Sequence, residues 1–138
     1  MGITNSFKKN LIIFLTLVFI SYVVDITRNK CSNLTFNAKI NNLIHHFLSM
    51  YLWFGSVVFG YHEFHILYML AGSLGWYLFD GECAMTIEYN KICNYEKHTR
   101  HYDLIYALSN YETNFTQLTI GRIVFIYDIL YLIRKYCF

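Results

Sequence analysis

Residues 43 to 79 hold a single formal charge, Glu63, in 37 positions. At about 1.5 Å per helical residue that stretch would reach roughly 55 Å, nearly twice the apolar thickness of a bilayer. It must fold back on itself, and Gly60-Tyr61-His62-Glu63 is the polar break at which it can. The pattern predicts a membrane-spanning helical hairpin with arms Leu43–Gly60 and Phe64–Phe79, leaving through Cys83-Ala84-Met85-Thr86.

Charged residues make up 14% of the chain, against about 25% in an ordinary soluble domain. The shortfall fits burial in lipid better than burial in a core. A net charge of +2 is too small to argue for a nucleic-acid partner. Proline is absent, and Asn, Ile, Lys, Tyr and Phe are abundant. That bias is what a low-GC genome writes, whether of a protist, a bacterium or a large DNA virus.

Two further apolar segments complete the expected fold. Leu11–Val24, extended by Ile26, is uniformly apolar, whereas Leu118–Ile133 contains Arg122 and Asp128. The expectation is an all-α integral membrane bundle in one domain, residues 1–138. It has four spans (about 11–26, 43–60, 64–79 and 118–133), or three spans plus an interfacial C-terminal helix. The polar loop 80–117 holds six acidic and three basic residues, with Tyr102–Leu108 as a short amphipathic surface helix. Lys8-Lys9 before the first apolar run resembles the start of a signal peptide, but no small-x-small cleavage pair follows it, so a retained signal anchor is expected. Met1-Gly2-Ile3-Thr4-Asn5-Ser6 also fits the N-myristoylation pattern on Gly2.

With four spans, the amino terminus, the hairpin turn and the tail share one side. The glycosylation sequons at Asn33 and Asn114 fall on the other, as do Cys31, Cys83 and Cys93. The termini are therefore expected to be cytosolic. Close approach of the arms is expected through small residues, Ser56-x-x-x-Gly60 and Ala71-x-x-x-Gly75, because lipid removes most of the hydrophobic incentive to pack. Counting back from the turn sets Gly72 opposite Trp53.

Six histidines and four cysteines raise the question of a metal. His45 and His46 lie near the outer end of the second span, and His62 and His65 lie at the turn. Sixteen residues separate His46 from His62, about 24 Å along a helix, so the two groups cannot share one ion. The outer candidates are His45, His46, Cys83, Cys93, His98 and His101. Two thiolates and two imidazoles suit tetrahedral zinc, but Cys83 and Cys93 lack the short spacing of a zinc knuckle. A Cys83–Cys93 disulfide is the competing expectation. His62 and His65 read as interfacial caps of the turn. Asp128 is the costliest residue to place in a span, at roughly 2.5–3.5 kcal/mol. Arg122, six residues away, lies on another face. Pairing within the bundle, an ion path and an interfacial placement all remain open for Asp128.

The order of His46, Gly55, His65, Trp76, Cys83, Met85 and Thr86, with Glu88 nearby, resembles a family of small multi-pass membrane proteins of bacteria and large DNA viruses. In that family a helical hairpin ends in Cys-Pro-Leu-Thr followed by a Glu. The resemblance spans about residues 45 to 90, with Ala84 standing where the family has proline. It implies a helical membrane fold and no particular reaction.

No Gly-rich phosphate loop, nucleophile elbow or paired-carboxylate arrangement is visible. The expected function is a non-enzymatic structural or assembly component of a cellular or viral membrane, without a cofactor. Its partners would be the bilayer and either copies of itself or other membrane proteins. The alternative is a membrane redox or metal-dependent enzyme using Cys83 with the outer histidines.

Overall fold

The computed structural model describes residues 5–96, 99, 101–108 and 113–138, the first six of the last stretch by backbone alone. Among the described residues the regular structure is entirely helical, as expected. The helices are α1 (Asn5–Arg28), α2 (Phe36–Phe59), α3 (His62–Leu78), α4 (Ala84–Cys93), α5 (Leu104–Leu108) and α6 (Thr113–Cys137).

The helix ends follow local chemistry. Thr35 caps α2 by accepting the Ala38 N–H on its hydroxyl at 3.2 Å, which starts the helix seven residues before the apolar run. Gly60, at φ 72°, ends α2 with its N–H on the Ser56 carbonyl. That left-handed position favours glycine, and it makes the hairpin turn where the polar break predicts it. Asn94, also left-handed at φ 55°, ends α4.

α2 is the central element, packed against α1, α3, α4 and α6; α3 also packs on α6, and α5 on both α1 and α6. α1 and α2 run antiparallel. Phe7 meets Phe59 at 5.9 Å between ring centroids, and the Asn10 amide donates to the Val58 carbonyl at 2.7 Å. At the same end Lys135 and the Tyr136 hydroxyl both donate to Glu63, at 2.6 and 2.8 Å. The start of α1, the α2–α3 turn and the end of α6 thus share one end of the bundle. The α1–α2 turn, α4 and α5 form the other.

The small-residue pairing is corrected. A Cβ at Gly60 or Gly75 would meet nothing within 4 Å, and one at Gly72 would meet only Leu52 at 3.8 Å. Trp53 lies instead over Gly121 of α6, 3.3 Å from where that Cβ would be. Aromatic contacts do the packing elsewhere. The Tyr51 ring folds back over Gly55 and makes edge contacts with Phe14, Phe64, Tyr68 and His65.

The disulfide is also corrected: Cys93 bonds to Cys31, and Cys83 is a free thiol. α4 is the reason. It holds Cys83 and Cys93 at opposite ends of ten residues, about 15 Å apart, beyond the roughly 7 Å that a disulfide bridges. Cys31, in the α1–α2 turn, comes within 5.0 Å of Cys93 at Cα. The α5 segment is a short helix within the expected range, with Leu108 exposed. Its inner face carries Ile105, which is buried against the bundle.

Among the described residues, α1 is the one helix long and apolar enough to cross a membrane by length and composition. Two outcomes follow from the fold. The Cys31–Cys93 bond closes a 62-residue separation, for which the chain-entropy model gives about 4 kcal/mol. Reduction should therefore lower the melting temperature clearly, and mass mapping of non-reduced peptides should link Cys31 to Cys93 while Cys83 alkylates without reductant. Lys135 beside Glu63 holds that carboxyl down to about 2 from an ordinary 4.5. A depressed acid stabilises above its ordinary value and stops doing so as the pH falls through the depressed one. The contact between the α6 tail and the hairpin should thus persist on acidification to pH 4.5 and weaken only toward pH 2, as read by amide exchange across the last turn of α6.

Candidate functional site: two buried histidine–carboxylate centres

The polar side chains of the helices converge at two places, one toward each end of α2. Toward the disulfide end the focus is Asp25, fully buried on α1. Ser21 and Asp25 stand four residues apart on one face of α1, and Asn42 and His46 four apart on one face of α2, so each pair projects to the same side. Asp25 Oδ1 accepts from the Asn29 amide at 2.8 Å and from the Tyr102 backbone N–H at 2.7 Å. Oδ2 accepts from the Asn42 amide at 2.8 Å. Two imidazoles stand farther off: His101 Nδ1 lies 3.3 Å and His46 Nε2 3.4 Å from the same Oδ2.

The segment before α5 is drawn inward to complete this centre. His101 is sandwiched between the ring of His45, stacked at 3.9 Å, and that of Tyr89 at 4.8 Å. Ser21 Oγ accepts the Leu104 N–H at 3.0 Å and lies 3.0 Å from His46 Nδ1. Asp103 is buried close by, its carboxylate accepting the Tyr106 N–H at 2.7 Å. Burial pushes the His101 imidazole below its ordinary value, with Asp25 opposing. Burial also pushes the Asp103 carboxyl up. His46 Nε2, His101 Nε2, His45 Nδ1 and Asn42 Oδ1 are all buried without a hydrogen-bond partner.

The second centre joins α3 to α6. Asp128 is fully buried, with His62 Nδ1 on one oxygen at 2.8 Å and His65 Nδ1 on the other at 2.6 Å. His65 Nε2 faces the Tyr51 and Leu52 carbonyls at 3.0 and 3.1 Å. Carbonyls only accept, so that nitrogen carries hydrogen. A proton must then also lie between His65 Nδ1 and Asp128, whichever of them holds it. His62 stacks on Tyr131 at 3.7 Å. The pairing reading of Asp128 is therefore the one realised. The reading of His62 and His65 as interfacial caps is corrected, because both are buried by α6. Arg122 is exposed and takes no part in this centre.

The outer metal set is corrected in membership. His45, His46 and His101 come together; Cys93 is in the disulfide, and Cys83 stands at the N-cap of α4 as a thiol. His98 and Gly2 lie outside the described residues, as does the side chain of Asn114. Asn33 is exposed in the α1–α2 turn. Of the hairpin motif, His46 sits in the first centre, His65 in the second, and Gly55 beneath Tyr51. Thr86 is buried on α4, and Trp76 is half-buried against the core. Asp25, Ser21, Asn42 and Asp103 are site residues that the sequence reading missed. One signal was available: Asp25 is the only acid within the apolar run 11–26.

No family model matches the chain, and neither a curated protein nor a solved structure matches it.

The second centre generates a test by truncation and compensation. Asp128→Ala strands two buried imidazoles and should cost about 3–5 kcal/mol. Replacing Asp128, His62 and His65 together by leucine should recover most of that loss, because no orphaned polar group is left. Thermal unfolding of the purified variants reads both.

Proposed function

We propose that this protein is a multi-pass helical membrane protein with a structural or assembly role in a cellular or viral membrane, and that it is not an enzyme. The observation that supports this reading is the inverted distribution of polarity. Ser21, Asp25, Asn42, His46, Ser56, His65 and Asp128 are enclosed at 0–1% exposure. The outward faces carry Ile12 and Phe19 on α1, Val57 on α2, Phe64, Leu67 and Leu74 on α3, and Ile126 and Leu130 on α6, all more than half exposed. A water-soluble bundle buries its large apolar side chains and solvates its acids. The reverse arrangement suits a hydrocarbon solvent, where ionisable groups turn inward and pair.

α1 meets both the length and the composition of a span, and we add three further helices to it on their length alone. α2 and α6, at 24 and 25 residues, reach about 36 Å, and α3, at 17 residues, about 25 Å, against an apolar thickness of roughly 30 Å. The Cys31–Cys93 bond and the exposed sequon at Asn33 lie at the end away from both termini. Disulfides persist in oxidising compartments, so that end is luminal or external and the termini are cytosolic. The structural role follows from the enclosure of both centres. Among the described residues, Asp25 and His46 on the disulfide side are at 0% exposure, which argues against a substrate reaching them. The partners are then other copies of this chain or other membrane proteins, meeting its aromatic and aliphatic outer faces.

The test is carbonate extraction of membranes expressing the full chain, combined with glycan mapping. The protein should stay in the pellet, an engineered site in the α1–α2 turn should be glycosylated, and one beyond Phe138 should not. Release into the supernatant, or glycosylation of the tail, would end this reading. In-membrane cross-linking should give defined oligomers or partner adducts; a monomer alone would leave the assembly role without support.

A further inference from the structure

The two centres share a composition of histidine and carboxylate but differ in spacing. Around Asp128 the nitrogen–oxygen separations are 2.6 and 2.8 Å, the range of charge-assisted hydrogen bonds. Around Asp25 the corresponding separations are 3.3 and 3.4 Å, longer than such bonds: the His101 contact is a long hydrogen bond, and His46 Nε2 is buried without a hydrogen-bond partner. Ligands bound to zinc at about 2.0–2.1 Å in a tetrahedron stand about 3.3–3.4 Å from one another. Asp25, His46 and His101 each offer one ligand atom, and these atoms lie within 4.8 Å of one another, all on buried residues.

We propose that Asp25, His46 and His101 hold a divalent transition-metal ion of the zinc class, as a structural staple between α1, α2 and the segment leading into α5. The surroundings suit such an ion. Ser21 Oγ, beside His46 Nδ1, has a lone pair for an Nδ1–H, and that tautomer presents the Nε2 lone pair to the metal. Such an outer hydrogen bond is the usual partner of a ligating histidine. Asn42 and Asn29 orient the carboxylate through their amides. One carboxylate and two neutral imidazoles leave a fourth position for a water molecule. His101 Nε2 lacks a partner with or without the ion, so it does not discriminate. The hard, oxygen-seeking cations are disfavoured, because two of the three ligand atoms are imidazole nitrogens. The site does not depend on the bilayer reading, since the same geometry would hold an ion in a soluble bundle.

The test uses the untagged full chain in detergent. Elemental analysis after expression in zinc-supplemented medium should find about one transition-metal ion per chain. Chelator-treated wild-type protein should regain it on addition of zinc, with a rise in melting temperature, and cobalt(II) should give the visible bands of a tetrahedral nitrogen–oxygen site. His46→Ala and His101→Ala should each abolish stoichiometric binding, and Ser21→Ala should weaken it about tenfold. His62→Ala, in the other centre, should leave it unchanged. Should the ligand variants fail to fold, the wild-type titration alone decides. Absence of metal together with a melting temperature indifferent to zinc and cobalt would overturn the proposal. So would stoichiometric metal that survives in folded His46→Ala and His101→Ala.

Discussion

The carboxylate of Asp25 is where separate pieces of the chain are made to meet. It takes a hydrogen bond from α2 through Asn42 and another from the backbone of Tyr102, 77 residues away in sequence. A buried carboxylate without donors would cost several kcal/mol, so α1, α2 and the segment before α5 must arrive together or not at all. Apolar contact alone gives little of this registry when the surroundings are also apolar. The disulfide acts on the same pieces from outside, tying the α1–α2 turn to the end of α4. Its small core of Ala38, Tyr89 and Cys93 brings Tyr89 against His101, so the covalent staple and the polar centre hold one another in place.

The centre at Asp128 does for the other end what Asp25 does for the first. α3 is short, and its glycines meet almost nothing. Its attachment to α6 rests on His62 and His65 on the carboxylate, with the exposed Glu63–Lys135 pair beyond them. That exposed pair is worth little in water, whereas the enclosed one cannot be opened without stranding charge. α6 therefore has a fixed rotation. Asp128 and Val124, four residues apart, face inward, and Arg122, Ile126 and Leu130 face out.

Much of the scaffold was legible in the chain itself. The hairpin break at Gly60 depends on local chemistry, a left-handed position beside a charge-free run, and local chemistry is what a sequence displays. The separation of the histidines into two groups was legible for the same reason, since it needs only the rise of a helix. What was hidden depends on long-range choices. Nothing in the spacing of Cys83, Cys93 and Cys31 indicates that α4 would carry Cys93 to the α1–α2 turn. Nothing in Tyr102–Leu108 indicates that the segment would deliver His101 to Asp25. Asp25 itself was visible as an acid at the end of an apolar helix, but its meaning appears only with Asn42 and His46 opposite it.

The two centres also bear on why a chain of this kind keeps charge in its interior at all. Replacing a buried ion pair by apolar residues is often neutral or stabilising, so stability alone is a poor reason to retain both. Registry is a better one, because leucine at position 128 would pack against α3 in several rotations, whereas a carboxylate between two imidazoles accepts one. At Asp25 registry would be served as well by short hydrogen bonds, yet both imidazoles stand off at 3.3 and 3.4 Å. Two similar sets of groups, in one small bundle and equally enclosed, have settled at different spacings. A proton bridging His65 and Asp128 accounts for the shorter spacing, and an ion seated among Asp25, His46 and His101 accounts for the longer.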